Sequence, residues 1–276
     1  MFPLFQVGNL IFHTYGLLLC LAILSAMFLS VSSAKRLDYE TSSLWKVLGL
    51  TAFAGVVFCR VGDSLLHPSL YTRSPELLLV NGGTFLFGFL AGISVAVGLC
   101  MKHGMSFWAL SDCCAPYLAL GIGIGRAGCF AAGCDYGKPS SLPWSVTFTN
   151  PAAASLSGVP LNISLHPSQL YESIYEFLLF VVLMFVSRKH PPTRTLTWLF
   201  VLFYSIGRFL IEFTRGDPDR GFWGPLSISQ WLCGVLLVTV LILSRLIPDA
   251  QGATRSNKDS TIDLVPGLPT EHTVTR

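Results

Sequence analysis

Seven apolar stretches, roughly 10–33, 43–62, 84–101, 107–131, 170–187, 195–214 and 228–247, take up most of this 276-residue chain. Each approaches the roughly 20 residues that an α-helix needs to cross a bilayer. Inside lipid no water can satisfy a backbone N–H or C=O, so a spanning segment must be a helix or a strand of a closed barrel. Runs of this length predict helices, and the expected fold is an all-α, polytopic membrane protein of about seven spans. Composition agrees, with 52% hydrophobic and only 12% charged residues, where a soluble domain carries about 25% charged. A soluble bundle of buried helices is the alternative. The formal net charge of +3 identifies no partner, because in such a chain the distribution of charge matters more than its sum; nucleic acid is not an expected partner. The first run begins near Leu10 without a basic n-region or a defensible cleavage site, so it is expected to remain as a helix.

The connection 132–169 is the longest and is rich in Pro, Ser and Gly, which suggests a small element outside the membrane. A membrane domain is expected over 1–248, followed by a polar tail, 249–276, with no hydrophobic period and an expectation of disorder. Loops on one side carry Lys35, Arg36, Lys102, Arg188, Lys189 and Arg194, and the tail adds Arg245, Arg255, Lys258 and Arg276. The other side carries Arg73, Lys138, Arg215 and Arg220. Basic residues favour the cytoplasmic side, so the N-terminus and the 132–169 connection are expected outside and the tail in the cytoplasm.

Arg126, Arg208 and Glu212 lie in or at the edge of apolar runs, where a charge costs about 2.5–3.5 kcal/mol on insertion scales. Arg208 and Glu212 are four apart on one helix face and can pair, with Arg215 a turn further on. Arg126 is flanked by glycines in "GIGIGRAG", which would permit close approach, and its guanidinium can present a planar fork to a phosphate. An outward arginine cluster is therefore a candidate phospholipid-headgroup site. Structural ion pairing and snorkelling to the headgroups are the alternatives. "HPSQLYES", 166–173, crowds His166, Gln169, Tyr171 and Glu172 at a helix start; Ser168 could cap the helix and Tyr171 anchor it at the interface. Cys113, Cys114, Cys129 and Cys134 are read as packing residues, with a Cys129–Cys134 disulfide or a metal site as alternatives.

These motifs together resemble the prolipoprotein diacylglyceryl transferases of bacterial inner membranes. The resemblance runs over about 10–235 through "FHTYGL", "PELLLVNGGTFLFGFLAG", "DCCAPYLALGIGIGRAGCF", "HPSQLYE", "GRFLIEFTRGDPD" and "ISQWL". It implies transfer of the diacylglyceryl group of phosphatidylglycerol to the lipobox cysteine in the signal peptide of a preprolipoprotein, with release of glycerol phosphate and no cofactor. It assigns catalytic roles to Arg126, Arg208, Tyr15 and His166, and substrate binding to Arg126, Gly128, Glu212, Arg215, Gln169 and Tyr171. Arg126, Arg208, His166 and Tyr15 should then converge near the outer leaflet.

The chain departs from the family pattern in the polar half of the site. Phe87 stands where the family has a histidine, and Phe cannot accept a proton. The family's two asparagines fall on Cys129 and Ala132, and its glutamate on Cys134, with Asp135 next door. A divergent lipid-binding or thiol-redox membrane protein is the alternative function. A transporter would favour repeated halves, and no convincing internal repeat is present.

Overall fold

A computed structural model describes residues 3–7, 10–73 and 83–246 of the chain. Among these, six helices are long and apolar enough to cross a membrane, and Ile228–Ser244 is a further, shorter apolar helix. The helices are α1 (Thr14–Ala34), α2 (Thr41–Leu66), α3 (Pro68–Arg73), α4 (Phe85–Lys102), α5 (Phe107–Ala132), α6 (Pro151–Ser157), α7 (Ser168–Ser187), α8 (Thr195–Ile211) and α9 (Ile228–Leu246). The expected all-α membrane architecture is the one found. The expected tail, 249–276, and the "PELLLVNG" part of the third-span motif lie outside the described residues.

α5 is the axis of the bundle and packs against α1, α7 and α8, while α9 packs on α8. Its ends are set locally. The Ser106 side chain accepts from the Ala109 N–H at 3.3 Å, and Gly133 in the left-handed region (φ 86) returns its N–H to the Cys129 carbonyl at 2.8 Å, as helix-terminating glycines do. Small residues let helices approach where lipid offers no hydrophobic drive. A Cβ at Gly121 would stand 3.3 Å from the Ala22 carbonyl, one at Gly123 3.1 Å from the Phe177 ring, and one at Gly128 3.1 Å from Leu18. These glycines therefore serve helix packing, and of the four around Arg126 only Gly125 meets open space.

α2 and α4 form a second, more peripheral pair. Phe87, which the resemblance sets against a family histidine, lies with its side chain directly over Gly62 of α2, so a Cβ there would overlap it. The phenyl group is thus part of the α2–α4 contact.

Three elements go beyond what the apolar pattern predicts. The stretch ahead of α1 is not helical: β1 (Leu4–Val7) pairs antiparallel with β2 (Leu10–His13). An unbroken apolar run carries no period-2 signal, so strand and helix cannot be separated there by pattern. Between α5 and α7, β3 (Val146–Thr147) and β4 (Ser164–Leu165) pair beside α6. They enclose a small core of Phe148, Ala153, Val159 and Leu165 against Phe130 of α5, the compact element that the long connection suggested. The two-residue strands β5 (Phe222–Trp223) and β6 (Leu226–Ser227) turn the chain into α9.

Candidate functional site

The site forms where the chain leaves α5, enters α7 and leaves α8. Backbone bonds lace the segment after α5 to the segment after α8: Lys138 N–H to the Thr214 carbonyl at 2.8 Å and Gly216 N–H to the Tyr136 carbonyl at 2.9 Å, with a bridge between Gly137 and Arg215. The contact needs glycine. A Cβ on Gly216 would stand 2.6 Å from the Gly137 carbonyl oxygen, and one on Gly137 would overlap the backbone of His166. Gln169, only 1% exposed, ties α7 to the same segment by donating to the Cys134 carbonyl at 2.6 Å. Ser168 does not cap α7; its hydroxyl instead meets the Thr214 hydroxyl at 2.9 Å.

This lacing closes a ring of alternating charges. Arg126 Nε is 3.0 Å from Glu172 Oε1, which is 3.7 Å from Arg208 Nε. Arg208 Nη1 is 2.5 Å from Glu212 Oε2, and Glu212 is 3.9 Å from Arg215 Nη1. Arg215 Nη2 is 2.6 Å from Asp135 Oδ1, and Asp135 Oδ2 accepts from Arg126 Nη1 at 2.5 Å. Asp217 takes two further bonds from Arg215, at 2.9 and 2.6 Å, and Arg220 approaches Glu212 at 3.7 Å. Three guanidiniums thus face three carboxylates, and the ring is neutral. The side chains of Glu172, Arg208, Glu212 and Arg215 are 7% exposed or less, whereas Arg126 is 19% and Asp135 32% exposed. The ring is closed to solvent except along its Arg126–Asp135 edge.

The groups outside the helical spans show the field this creates. Burial acts to raise the Asp135 carboxyl, but Arg126, Arg215 and Arg208 outweigh it and hold it down at about 2. Burial acts to lower Arg215, and its bonds to Asp217 and the charge of Asp135 lift it above its ordinary value instead. The Cys134 thiol is pushed well up by its hydrogen bond with Cys129 and by burial, so it stays a neutral thiol.

The predicted site residues fall into two groups. Of the four residues expected to converge, Arg126 and Arg208 meet through Glu172, and Tyr15 lies near Arg126, Asp135, Cys129 and Cys134; Glu212 and Arg215 join the same network. His166 lies against Gly137, whose backbone bridges to Arg215, and its Nδ1 is 3.3 Å from the Tyr171 hydroxyl, which also accepts from Trp144 Nε1 at 2.8 Å. Gly128 is packed against Leu18 and Tyr15, and Gln169 holds a backbone carbonyl, so both support the site from behind. The guanidiniums are not free, as a waiting phosphate site would have them; each already carries carboxylates.

Sequence spacing does not single out Glu172, Asp135, Asp217 and Arg220 as partners in this network. Glu172 is one of several polar residues at a helix start, yet it is 3% exposed and faces inward. Asp135 turns inward through a left-handed backbone (φ 55), which spacing does not reveal. The four cysteines do not converge: Cys113 and Cys114 belong to the core near Val31 and Leu44, at the far end of α5. Cys129 and Cys134, both free thiols, bring their sulfurs within 4.8 Å of each other and of an Asp135 oxygen. That set could hold a cation only against two guanidiniums already bound to Asp135, and the local field favours an anion.

A family model described as prolipoprotein diacylglyceryl transferase matches residues 3–245. The chain is 36% identical over 245 residues to the phosphatidylglycerol–prolipoprotein diacylglyceryl transferase of Clostridium tetani, covering 87% of this chain and 93% of that protein. It is 36% identical over 247 residues to the protein of that name from Pseudomonas aeruginosa (strain UCBPP-PA14), with 86% and 90% covered. With the Geobacter sulfurreducens protein of that name it shares 33% over 253 residues, with 88% and 94% covered.

Proposed function

Because this chain belongs to the prolipoprotein diacylglyceryl transferase family, we propose that it moves the diacylglyceryl group of phosphatidylglycerol onto the lipobox cysteine of preprolipoproteins. The thiol sulfur attacks the glyceryl carbon that bears the phosphate, a C–S bond forms as the C–O bond breaks, and glycerol phosphate departs with the electron pair. The observation that carries this reading is the arginine–carboxylate ring buried at one end of an apolar bundle, with one edge open.

Each residue has a proposed part. Arg126, at the open edge, takes the phosphodiester and offsets the charge that grows on the leaving oxygen, the kind of preoriented stabilisation that works best where water is excluded. Arg208, between Glu172 and Glu212, keeps that edge in place. Tyr15 lies against the reacting region, and His166 is the acceptor proposed for the thiol proton, since Phe87 offers none. The signal peptide and the lipid reach the site through the membrane. The membrane domain comprises 1–248 and sits in the inner membrane, with the N-terminus and the ring on the periplasmic side; the Lys/Arg distribution supports this orientation. A C-terminal reporter active only in the periplasm would reverse it.

The test is complementation of a transferase-depleted bacterium, with lipidated prolipoprotein as the readout. The parent chain should restore lipidation, and Arg126→Ala at equal expression should not. A parent chain that inserts normally yet transfers nothing from phosphatidylglycerol would refute the proposal.

A further inference from the structure

The three carboxylates of the ring are not equivalent. Glu172 and Glu212 project from the helical ends of α7 and α8 and are 3% and 1% exposed. Asp135 stands in the loop past α5, and its side chain is 32% exposed. It uses its two oxygens separately, Oδ2 on Arg126 and Oδ1 on Arg215. That is the way a phosphate ester would present its two non-bridging oxygens to a pair of guanidiniums. Asp135 is a short side chain at the open edge, so of the three carboxylates it is the one whose withdrawal asks least of the surrounding fold. Nothing comparable frees Glu172 or Glu212.

The arginines also differ in what they keep when a carboxylate leaves. Without Asp135, Arg126 still has Glu172 at 3.0 Å, and Arg215 still has Asp217 at 2.6 Å. The departing charge would be replaced by the incoming one, so the buried network would never hold an uncompensated guanidinium. Arg208 has no such exchange available, because both of its carboxylates are buried.

We infer that Asp135 occupies the seat of the phosphate ester, and that the ligand binds by displacing Asp135 from Arg126 and Arg215 while Arg208 remains locked in the ring. The inference rests on the transferase reading only for the identity of the ligand as a phospholipid headgroup. It assigns phosphate recognition to Arg126 and Arg215 and makes Asp135 a built-in competitor whose loss tightens binding.

The experiment measures phosphatidylglycerol binding in nanodiscs, and soluble glycerol phosphate as a competitor, for the parent, Asp135→Asn, Asp135→Ser and Arg126→Ala. If Asp135 fills the seat about nine parts in ten, removing its charge should tighten binding of both ligands about tenfold, the inverse of the free fraction. Arg126→Ala should lose both. Two Asp135 variants are used so that a folding defect in one, read from its melting in detergent, leaves the other to decide. If Asp135→Asn and Asp135→Ser bind as the parent does, or more weakly, while Arg126→Ala loses binding, the displacement is wrong and the headgroup reading stands. If Arg126→Ala binds as the parent does, the headgroup reading itself fails. Tightening of glycerol phosphate alone would overturn the seat as a lipid site.

Discussion

The two ends of α5 handle buried charge in opposite ways. At one end Asp112, 7% exposed, accepts from the backbone N–H groups of Arg194 and Thr197 at 2.5 and 2.8 Å and from the Thr197 hydroxyl at 2.5 Å. It caps α8 from another helix. The residue before α8, Arg194, is in the left-handed region (φ 85) and gives no side-chain cap of its own. Fourteen positions away, about 21 Å along a helix, Arg126 enters a ring of ion pairs with an exposed edge. Asp112 is held by three neutral donors, two of them backbone N–H groups of another helix's first turn. Arg126 faces an anion that can be exchanged. A buried charge satisfied by the backbone is architecture, and one balanced by a movable counter-charge can do chemistry.

That contrast can be broken most severely inside the ring. Glu212→Ala leaves Arg208 with one carboxylate, Glu172 at 3.7 Å, beside the Ser229 hydroxyl at 3.5 Å, and takes a carboxylate from Arg215 and Arg220. Removing one member of a buried pair costs about 3–5 kcal/mol, so folded protein should fall sharply in detergent-solubilised membranes. Normal yield and melting would show the ring to be far less buried in its energetics than in its geometry.

At the other end, Asp112→Ala removes the carboxylate that accepts from the Arg194 and Thr197 N–H groups and the Thr197 hydroxyl. The expected loss is about 1–3 kcal/mol of stability, seen as a lower melting temperature, with lipid affinity of the folded fraction unchanged. A selective loss of lipid binding would join the two ends functionally and undo the distinction drawn between them.

Arg126→Lys keeps the charge but loses the fork that meets Glu172 and Asp135 together. Transfer should drop by about tenfold, equivalent to about 1.4 kcal/mol, with expression unaffected. A Lys variant as active as the parent would reduce Arg126 to a point charge.

The smallest effect concerns acid. The folded Asp135 carboxyl is held at about 2, below its unfolded value near 3.9. A lowered carboxyl contributes stability that is fully present above the unfolded value and fades as pH falls through the folded one. Stability from Asp135 should thus be flat above about pH 5 and be lost between about 4 and 2. The parent's melting temperature should fall more than that of Asp135→Asn over that window, by a modest amount because the side chain is partly exposed. Parallel acid profiles for the two would remove Asp135 from the ring.

Four of the six ring members, Arg126, Arg208, Glu212 and Arg215, are legible in the amino-acid sequence. Arg208 and Glu212 are four apart in a helical run, and spacing alone pairs them, as found at 2.5 Å. The cost of placing Arg126 in an apolar segment marks it equally well. Glu172 and Asp135 are not legible as partners, because their helix-end and loop positions do not say which way a side chain faces. The strands ahead of α1 are hidden for a related reason, since lipid-compatible strands and helices can share the same apolar composition.

What the sequence determined is the set of spans, because in lipid about twenty apolar residues have few ways to satisfy their backbones. It also determined which residues could not be mere filler, because a charge in such a segment is costly enough to need a cause. Tertiary structure alone decided who meets whom. Arg215 finds Asp135 across 80 residues of chain, because Gly137 and Gly216 let two backbones touch. It also decided that the guanidiniums arrive already neutralised, since a buried cation must be paired wherever folding leaves it, and only the packed bundle chooses the carboxylate that remains free to move.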